Sequence, residues 1–456
     1  MNALYIICGL GVASLVTELL NLKKWLIPFI VAGIAVAVAI LFRDWNSSVH
    51  YFHDMLIFDN VAIEFSILIG GIAFFWFWMA ASYFHEETHV TDQAALVLFV
   101  IVGAFILTSF NNMAMLFLGI EILSLSLYVL AGSKKDSLLS NEAAFKYFLM
   151  GSFATGFLLM GIALLYGATG FFHLDKISAY VIAHPGGMPV FFYAGVLLVI
   201  VGISFKVSAV PFHFWAPDVY EGSPTVITAL MATVVKVGAF AAFFRLIAYC
   251  FFPVQSSYHI ILLVIAVLTL VLANVTAVYQ SNVKRMLAYS SVGHAGYILL
   301  ALVSGGAAAG NTILYYLAAY SVATLSAFGV LIQIEFRSHS SNADIFDGLF
   351  KRNAFLAVVM TIALLSLAGI PPLAGFLGKY LVFSLAMQNG YELYVLVGVV
   401  TSLIGVYYYF RVIVAMFFKA PASEPLTTSF SLKLLLLLLL ALNLALGIFP
   451  NLVLVL

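Results

Sequence analysis

Four charged residues, Glu121, Lys206, Lys236 and Lys379, lie deep inside long apolar runs of this chain. A lysine or acid near the centre of a membrane helix costs roughly 2.5–3.5 kcal/mol even on the lenient insertion scale, so four unsupported ones would cost on the order of 10–14 kcal/mol. Charge kept at that depth points to ion chemistry, and lysine points to protons. Burial destabilises an ammonium, whose ordinary pKa of about 10.4 can fall to about 5–6 in an apolar site, and a nearby carboxylate reverses the effect. Should Glu121 approach Lys206, that lysine keeps its proton; should the two separate, the proton leaves toward Lys236. The magnitudes match: moving one charge against about 200 mV takes roughly 4.6 kcal/mol, and a swing of about 3–4 pKa units supplies roughly 4–5 kcal/mol. Static pairing between helices is the competing reading, but three lysines against one central acid cannot all be neutralised pairwise.

Weaker candidates surround these four. His213, His294, Tyr289, Tyr408 within the Tyr407–Tyr409 run, and Arg411 are able to order water or carry protons, although a single His or Tyr in a helical bundle is more often packed and hydrogen-bonded. Lys146, a turn after Glu142, either joins the path or snorkels to the surface. His85-Glu86-Glu87-Thr88-His89 fits the H-E-x-x-H zinc-protease pattern, in which two His bind metal and the first Glu acts as base. Polar Thr91 and Asp92 follow it and no third ligand stands at similar depth, so a chance match at a solvated helix end is preferred and an intramembrane zinc protease is a remote alternative. Gly375 to Tyr380 is not a phosphate loop, because Leu373 stands where the first glycine belongs and Tyr380 replaces Ser or Thr.

The elements that must position these groups follow from composition. With 456 residues, 64% of them hydrophobic and 8% charged, the chain has too little polar surface to cover a soluble globule. It reads as an all-α polytopic membrane protein. About fourteen apolar runs of crossing length are present: residues 4–20, 25–42, 61–84, 94–110, 113–131, 143–166, 190–214, 225–248, 259–279, 286–303, 312–334, 354–387, 393–418 and 434–449. The leucines of 434–440 are expected to face lipid. Lys23, Lys24, Lys134, Lys135, Lys284, Arg285, Arg337, Lys351, Arg352, Lys419 and Lys433 fall by one set of loops, and only Arg43, Lys176 and Arg245 by the other. The rich side is expected to be cytoplasmic, with both termini periplasmic. No cleavable signal is evident, since the extreme N-terminus lacks basic residues and enters the first run directly. Cys8 and Cys250 are the only cysteines, too few and too separated for an iron–sulfur cluster or a disulfide framework, so redox chemistry must belong to a partner. A net charge of +0 gives no case for nucleic acid.

Two runs are broken. Pro371 and Pro372, between Gly369 and Gly375, interrupt the run that carries Lys379; Pro211 interrupts the run that carries Lys206 and His213. Unwound backbone at membrane depth survives only beside protein or a water-filled cavity, so the surroundings of both lysines are expected to be wet. The broken helices lie about five helices apart and so cross in opposite directions, which predicts inverted repeats of helices four to eight and nine to thirteen. The expected division is a three-helix segment 1–92, repeats 93–250 and 251–420, and a last helix in 421–456.

At this point a family resemblance enters. The stretches Leu118–Tyr128, Glu142–Gly151, Phe205–Gly222, Lys284–Tyr297 and Gly369–Lys379 resemble subunit N of proton-pumping NADH-quinone oxidoreductase, respiratory complex I, over nearly the whole chain. Residues Pro211–Trp215 and Lys284–Ser291 carry motifs specific to the antiporter-like superfamily; Asp218–Gly222 and Leu125–Tyr128 favour subunit N within it. The resemblance implies a 14-helix inverted-repeat fold and one proton channel of the membrane arm. It implies Glu121 and Lys206 as the helix-five and helix-seven pair, Lys236 as the central lysine and Lys379 as the helix-twelve station, facing a neighbouring antiporter-like subunit or the exit route. It also implies that flavin, iron–sulfur clusters and the principal quinone site belong to partner subunits, that the partners include a second antiporter-like subunit, small membrane subunits and lipid, and that the location is a bacterial inner membrane. A subunit of a multisubunit sodium/proton antiporter is the main competitor; no long lateral helix follows the last run, which argues against the largest antiporter-like subunit.

Overall fold

The computed structural model describes residues 2–19, 23–86, 89–338, 342–421 and 424–454. Its helices are α1 (Asn2–Leu19), α2 (Lys23–Arg43), α3 (Asn60–Glu86), α4 (Val90–Ser109), α5 (Met113–Ala131), α6 (Leu138–Thr169), α7 (Leu174–Ile182), α8 (Val190–Lys206), α9 (Trp215–Gly222) and α10 (Thr225–Leu230). A π-helical turn (Met231–Val235) leads into α11 (Lys236–Arg245), followed by α12 (Gln255–Val278), α13 (Val283–Gly305), α14 (Gly310–Ser338) and α15 (Leu349–Arg352). The last are α16 (Ala354–Ala368), α17 (Ala374–Gln388), α18 (Glu392–Phe418), α19 (Phe430–Ile448) and α20 (Asn451–Leu454). A small hairpin, β1 (Val49–Tyr51) against β2 (Leu56–Phe58), joins α2 to α3 in the register Val49–Phe58.

Each apolar run read from the sequence coincides with a helix or a broken helix pair. Among the described residues nine stretches are long and apolar enough to cross a membrane; one of them, Thr225–Val278, runs through α10, α11 and α12, and another, Val283–Glu335, through α13 and α14; three shorter apolar helices accompany them. The sixth helix begins five residues before its apolar run, because Ser137 caps it by accepting from the Ser140 N–H (3.3 Å). Helix α7 was not expected. Too short to span, it buries Leu174, Ile177 and Val181 at one-face spacing.

The chain forms two compact units, residues 1–208 with 234–262, and residues 209–233 with 263–456. In the first, α6 and α8 approach backbone to backbone: a Cβ on Gly161 would meet Gly195 O at 2.9 Å, and one on Gly202 would meet Leu158 Cβ at 2.8 Å. Small residues are the means of close packing where lipid offers no hydrophobic drive between helices. Buried Arg245 fastens this unit, donating through Nη1 to both Asp59 oxygens (2.9 and 3.0 Å) and through Nε to Phe110 O (3.1 Å). In the second unit Arg285 Nη1 donates to Asp218 (2.7 Å) and Glu221 (2.8 Å), while Lys284 donates to Ser223 O (2.8 Å) and Thr225 hydrogen-bonds Glu335. The leucine run of α19 does not simply face outward: Leu435, Leu436 and Leu439 are fully buried, and Leu434, Leu437 and Leu438 are exposed. A helix turns successive residues to different faces, so seven leucines in a row cannot share one environment.

Candidate functional site

Lys206 is the last residue of α8, after which Ser208 takes a left-handed backbone conformation (φ 62°) and a cis bond precedes Pro211. Buried at the carbonyl end of its own helix, the ammonium sits where the helix dipole favours positive charge. Its Nζ donates to Ser124 Oγ of α5 (2.9 Å) and Tyr147 Oη of α6 (3.2 Å). The close α6–α8 packing is what brings Tyr147 within reach. A small cavity of ≈10 Å³, about the room of one water, lined by Ile120, Ser124, Tyr128, Gly151 and Lys206 adjoins it.

Glu121 lies close enough to act electrostatically on Lys206, yet among the described residues no ion pair joins them; the lysine is held by neutral hydroxyls. The carboxylate is half-buried in a row with exposed Leu118, Leu125 and Val129, the outer face of α5. Lys146 pairs with Glu142 (2.6 Å) on a partly exposed face of α6. Lys236 is buried at the first position of α11, directly after the π-helical turn; such turns recur at functional sites because they re-aim side chains.

The second break gives Lys379 different partners. Gly369 ends α16 in the left-handed region (φ 88°), a cis bond joins Pro371 to Pro372, and α17 begins at Ala374. Buried Lys379 reaches back from α17 and donates to Ala368 O, near the end of α16 (2.8 Å), and to Ser402 Oγ (2.7 Å), with its Nζ 5.1 Å from the Tyr297 ring centre. The break is tight: a Cβ on Gly375 would lie 1.8 Å from Ser366 O.

Beside this break lies a small cavity of ≈10 Å³, about the room of one water, lined by His294, Tyr316, Tyr320, Ser366, Gly375 and Gly378. His294 Nδ1 and Tyr316 Oη are 2.7 Å apart, and Tyr409 Oη lies 3.4 Å from His294 Nε2 while also bonding Ser290. Tyr408 donates to Asn274 Oδ1 (3.2 Å). Hydroxyl and imidazole groups each accept and donate, so this cluster is able to relay protons. The structure thus joins His294 to the tyrosines of α18 and sets other candidates apart. Arg411 caps the end of α12, donating to Val278 O (2.8 Å) and Gln280 O. His213 packs on Phe214, and Tyr289 meets it ring to ring at 6.5 Å. In the H-E-x-x-H stretch Glu87, Thr88 and the side chains of His85 and Glu86 lie outside the described residues; His89 Nδ1 is 3.9 Å from Asp92. Among the described residues no group of three or more His, Cys, Asp or Glu is placed to hold a metal.

Sequence reading did not find Ser124, Tyr147, Ser402 and Tyr316, which carry contacts; it named the Tyr407–Tyr409 run, of which Tyr409 meets His294 and Ser290. Polar spacing alone could have suggested Tyr316 and Tyr320, one turn apart on α14.

A sequence model of the family described as NADH:quinone oxidoreductase/Mrp antiporter, transmembrane, matches residues 110–405. NADH-quinone oxidoreductase subunit N of Cytophaga hutchinsonii is 43% identical, over 100% of this chain and 99% of that relative. Among solved structures, a chain of respiratory complex I from Thermus thermophilus superposes with a TM-score of 0.85 at 34% identity, covering 99% of this chain and 98% of its own length. A chain of the Mrp complex from Dietzia sp. shares the fold, with a TM-score of 0.86 at 20% identity over 99% and 93% of the two chains.

Proposed function

This chain belongs to the NADH:quinone oxidoreductase/Mrp antiporter transmembrane family, and from that membership we propose that it is the antiporter-like, proton-translocating subunit N of the membrane arm of an NADH-quinone oxidoreductase. One observation carries the residue-level reading: Lys206, Lys236 and Lys379 are all buried, and each stands at an irregularity of a helix, two at breaks and one after a π-helical turn. An uninterrupted helix has no spare backbone group to offer an ammonium, whereas a helix end has several.

In this reading Lys206 passes its proton between Ser124, Tyr147 and water in the adjoining cavity, with Glu121 biasing its charge and Lys236 as the next base. Lys379, with His294 and the α18 tyrosines, forms the station of the other unit. Half-buried Glu121 shares a face of α5 with exposed Leu118, Leu125 and Val129, an apolar stripe suited to contact with a neighbouring membrane-arm subunit. The chain serves without a redox centre of its own; flavin, iron–sulfur clusters and quinone act on partner subunits. We place it in a bacterial inner membrane with both termini periplasmic, and divide it into repeats 93–250 and 251–420, each containing one broken helix.

The test is purification of the native assembly, reconstitution in vesicles, and measurement of protons moved per NADH oxidised. Lys206→Ala and Lys236→Ala should assemble and lower that ratio, since each removes a proton acceptor and not a packing surface. Normal ratios in both would end the relay assignment. Sodium-dependent transport without NADH oxidation would favour the sodium/proton antiporter instead.

A further inference from the structure

We propose that Asn443 of α19 is a positioning residue for proton transfer at Lys379, fixing the gap between α16 and α17 and so holding the Ala368 carbonyl against the Lys379 ammonium. The inference rests on the reading of Lys379 as a station on the proton path. In a helix made largely of leucine, Asn443 is a buried polar side chain, only 2% exposed. An amide in such surroundings must find partners, and it finds them on both sides of the break. Its Nδ2 donates to Ser366 Oγ in the last turn of α16 (3.1 Å), and its Oδ1 accepts from the Ala374 N–H that opens α17 (3.4 Å). Ser366 Oγ in turn accepts from the Gly375 N–H (3.1 Å). The first N–H groups of a helix have no partner within it, and here Asn443 and Ser366 supply the acceptors for two of them.

The rest of α19 is registered on the same break. One turn beyond Asn443, Gly447 stands where a Cβ would lie 2.0 Å from Pro372 O, and Tyr315 donates to Leu446 O (2.8 Å). Lys379 follows Ala374 by little more than a turn of the same helix. A displacement of that helix start is therefore carried to the ammonium, whose acceptor Ala368 O belongs to the other side of the gap. Leucine has the same branched shape but is larger and would leave the Ala374 N–H and Ser366 Oγ without this partner, so Asn443→Asp is the variant that keeps the size.

The experiment measures protons moved per NADH oxidised by the intact complex in vesicles, for Asn443→Leu, Asn443→Asp, Ser366→Ala, Lys379→Ala and the double variant Asn443→Leu/Lys379→Ala. Asn443→Leu is expected to lower the ratio toward that of Lys379→Ala, and the double variant to fall no further than Lys379→Ala alone. Asn443→Asp keeps the size and, as a neutral acid, both a donor and an acceptor, and is expected to recover the ratio. Ser366→Ala removes the shared partner without touching α19 and carries the same expectation as Asn443→Leu if the latter does not assemble. A normal ratio in Asn443→Leu beside a lowered one in Lys379→Ala would overturn the inference, as would a double variant lower than both singles. A normal ratio in Lys379→Ala would remove the station itself, a result distinguishable from either.

Discussion

At the first break the lysine stands on the helix that ends and is held by hydroxyls from two other helices; at the second it stands on the helix that begins and reaches back to the main chain of the one that ended. Both ammonium groups lie at the carbonyl end of an interrupted helix, where the backbone favours a cation. Their partners differ in what they can do next. A serine or tyrosine hydroxyl accepts one proton while donating another, whereas a carbonyl only accepts. Lys206 is therefore held by side chains that can exchange protons and borders a small cavity, whereas Lys379 is held by a carbonyl, with Ser402 as its exchangeable contact. The two breaks also differ in tolerance: the second is closed by glycines against backbone, while the first turns at Ser208, a residue with a side chain.

The sharpest way to break this contrast is Gly375→Ala. Its methyl would fall 1.8 Å from Ser366 O, a backbone atom unable to move aside cheaply; overpacking commonly costs about 1–3 kcal/mol and more where backbone is hit, so the assembled subunit should melt far lower or fail to assemble, as thermal unfolding in detergent would report. Next in size, removing both hydroxyls around Lys206 in Ser124→Ala/Tyr147→Phe should slow proton translocation at least tenfold, since a hydrogen bond to a charged group contributes about 1.5–3 kcal/mol. The matching change at the other break, Ser402→Ala, leaves Ala368 O in place and should cost less than tenfold in the same vesicle assay; equal effects would erase the distinction between side-chain and main-chain support. Smallest of all, Ser208→Gly should leave translocation unchanged and alter stability by no more than about 1 kcal/mol, because glycine adopts the left-handed conformation without strain yet loses more freedom on folding. A large loss of stability there would show that the Ser208 side chain, and not its backbone, shapes the first break.

Much of this arrangement was legible before any coordinates. Prolines with glycines mark both breaks, since they remove backbone donors and permit unusual turns, and charges in apolar runs mark themselves. The short Leu174–Ile182 helix escaped notice because a length threshold for crossing a membrane ignores helices that lie outside it. The leucine run of α19 was misread for the opposite reason: uniform composition hides which face is buried, and Asn443, the residue that bridges the break, lies just beyond it. Arg411, read as able to order water or carry protons, caps a neighbouring helix, a role set by where α12 happens to end.

The sequence by itself determined that this is a many-helix membrane protein, where its helices fall, and which charged residues are too costly to be incidental, because the energy of a charge or a proline in an apolar helix depends on local context. Tertiary structure alone decided that Lys206 meets Ser124 and Tyr147, that Glu121 stays half-buried without an ion pair to Lys206 among the described residues, and that Lys379 takes a main-chain carbonyl beside the break that Asn443 bridges. Those partners lie between 11 and 82 positions away along the chain, on helices whose spacing and rotation follow from packing, and no local pattern records which faces will meet.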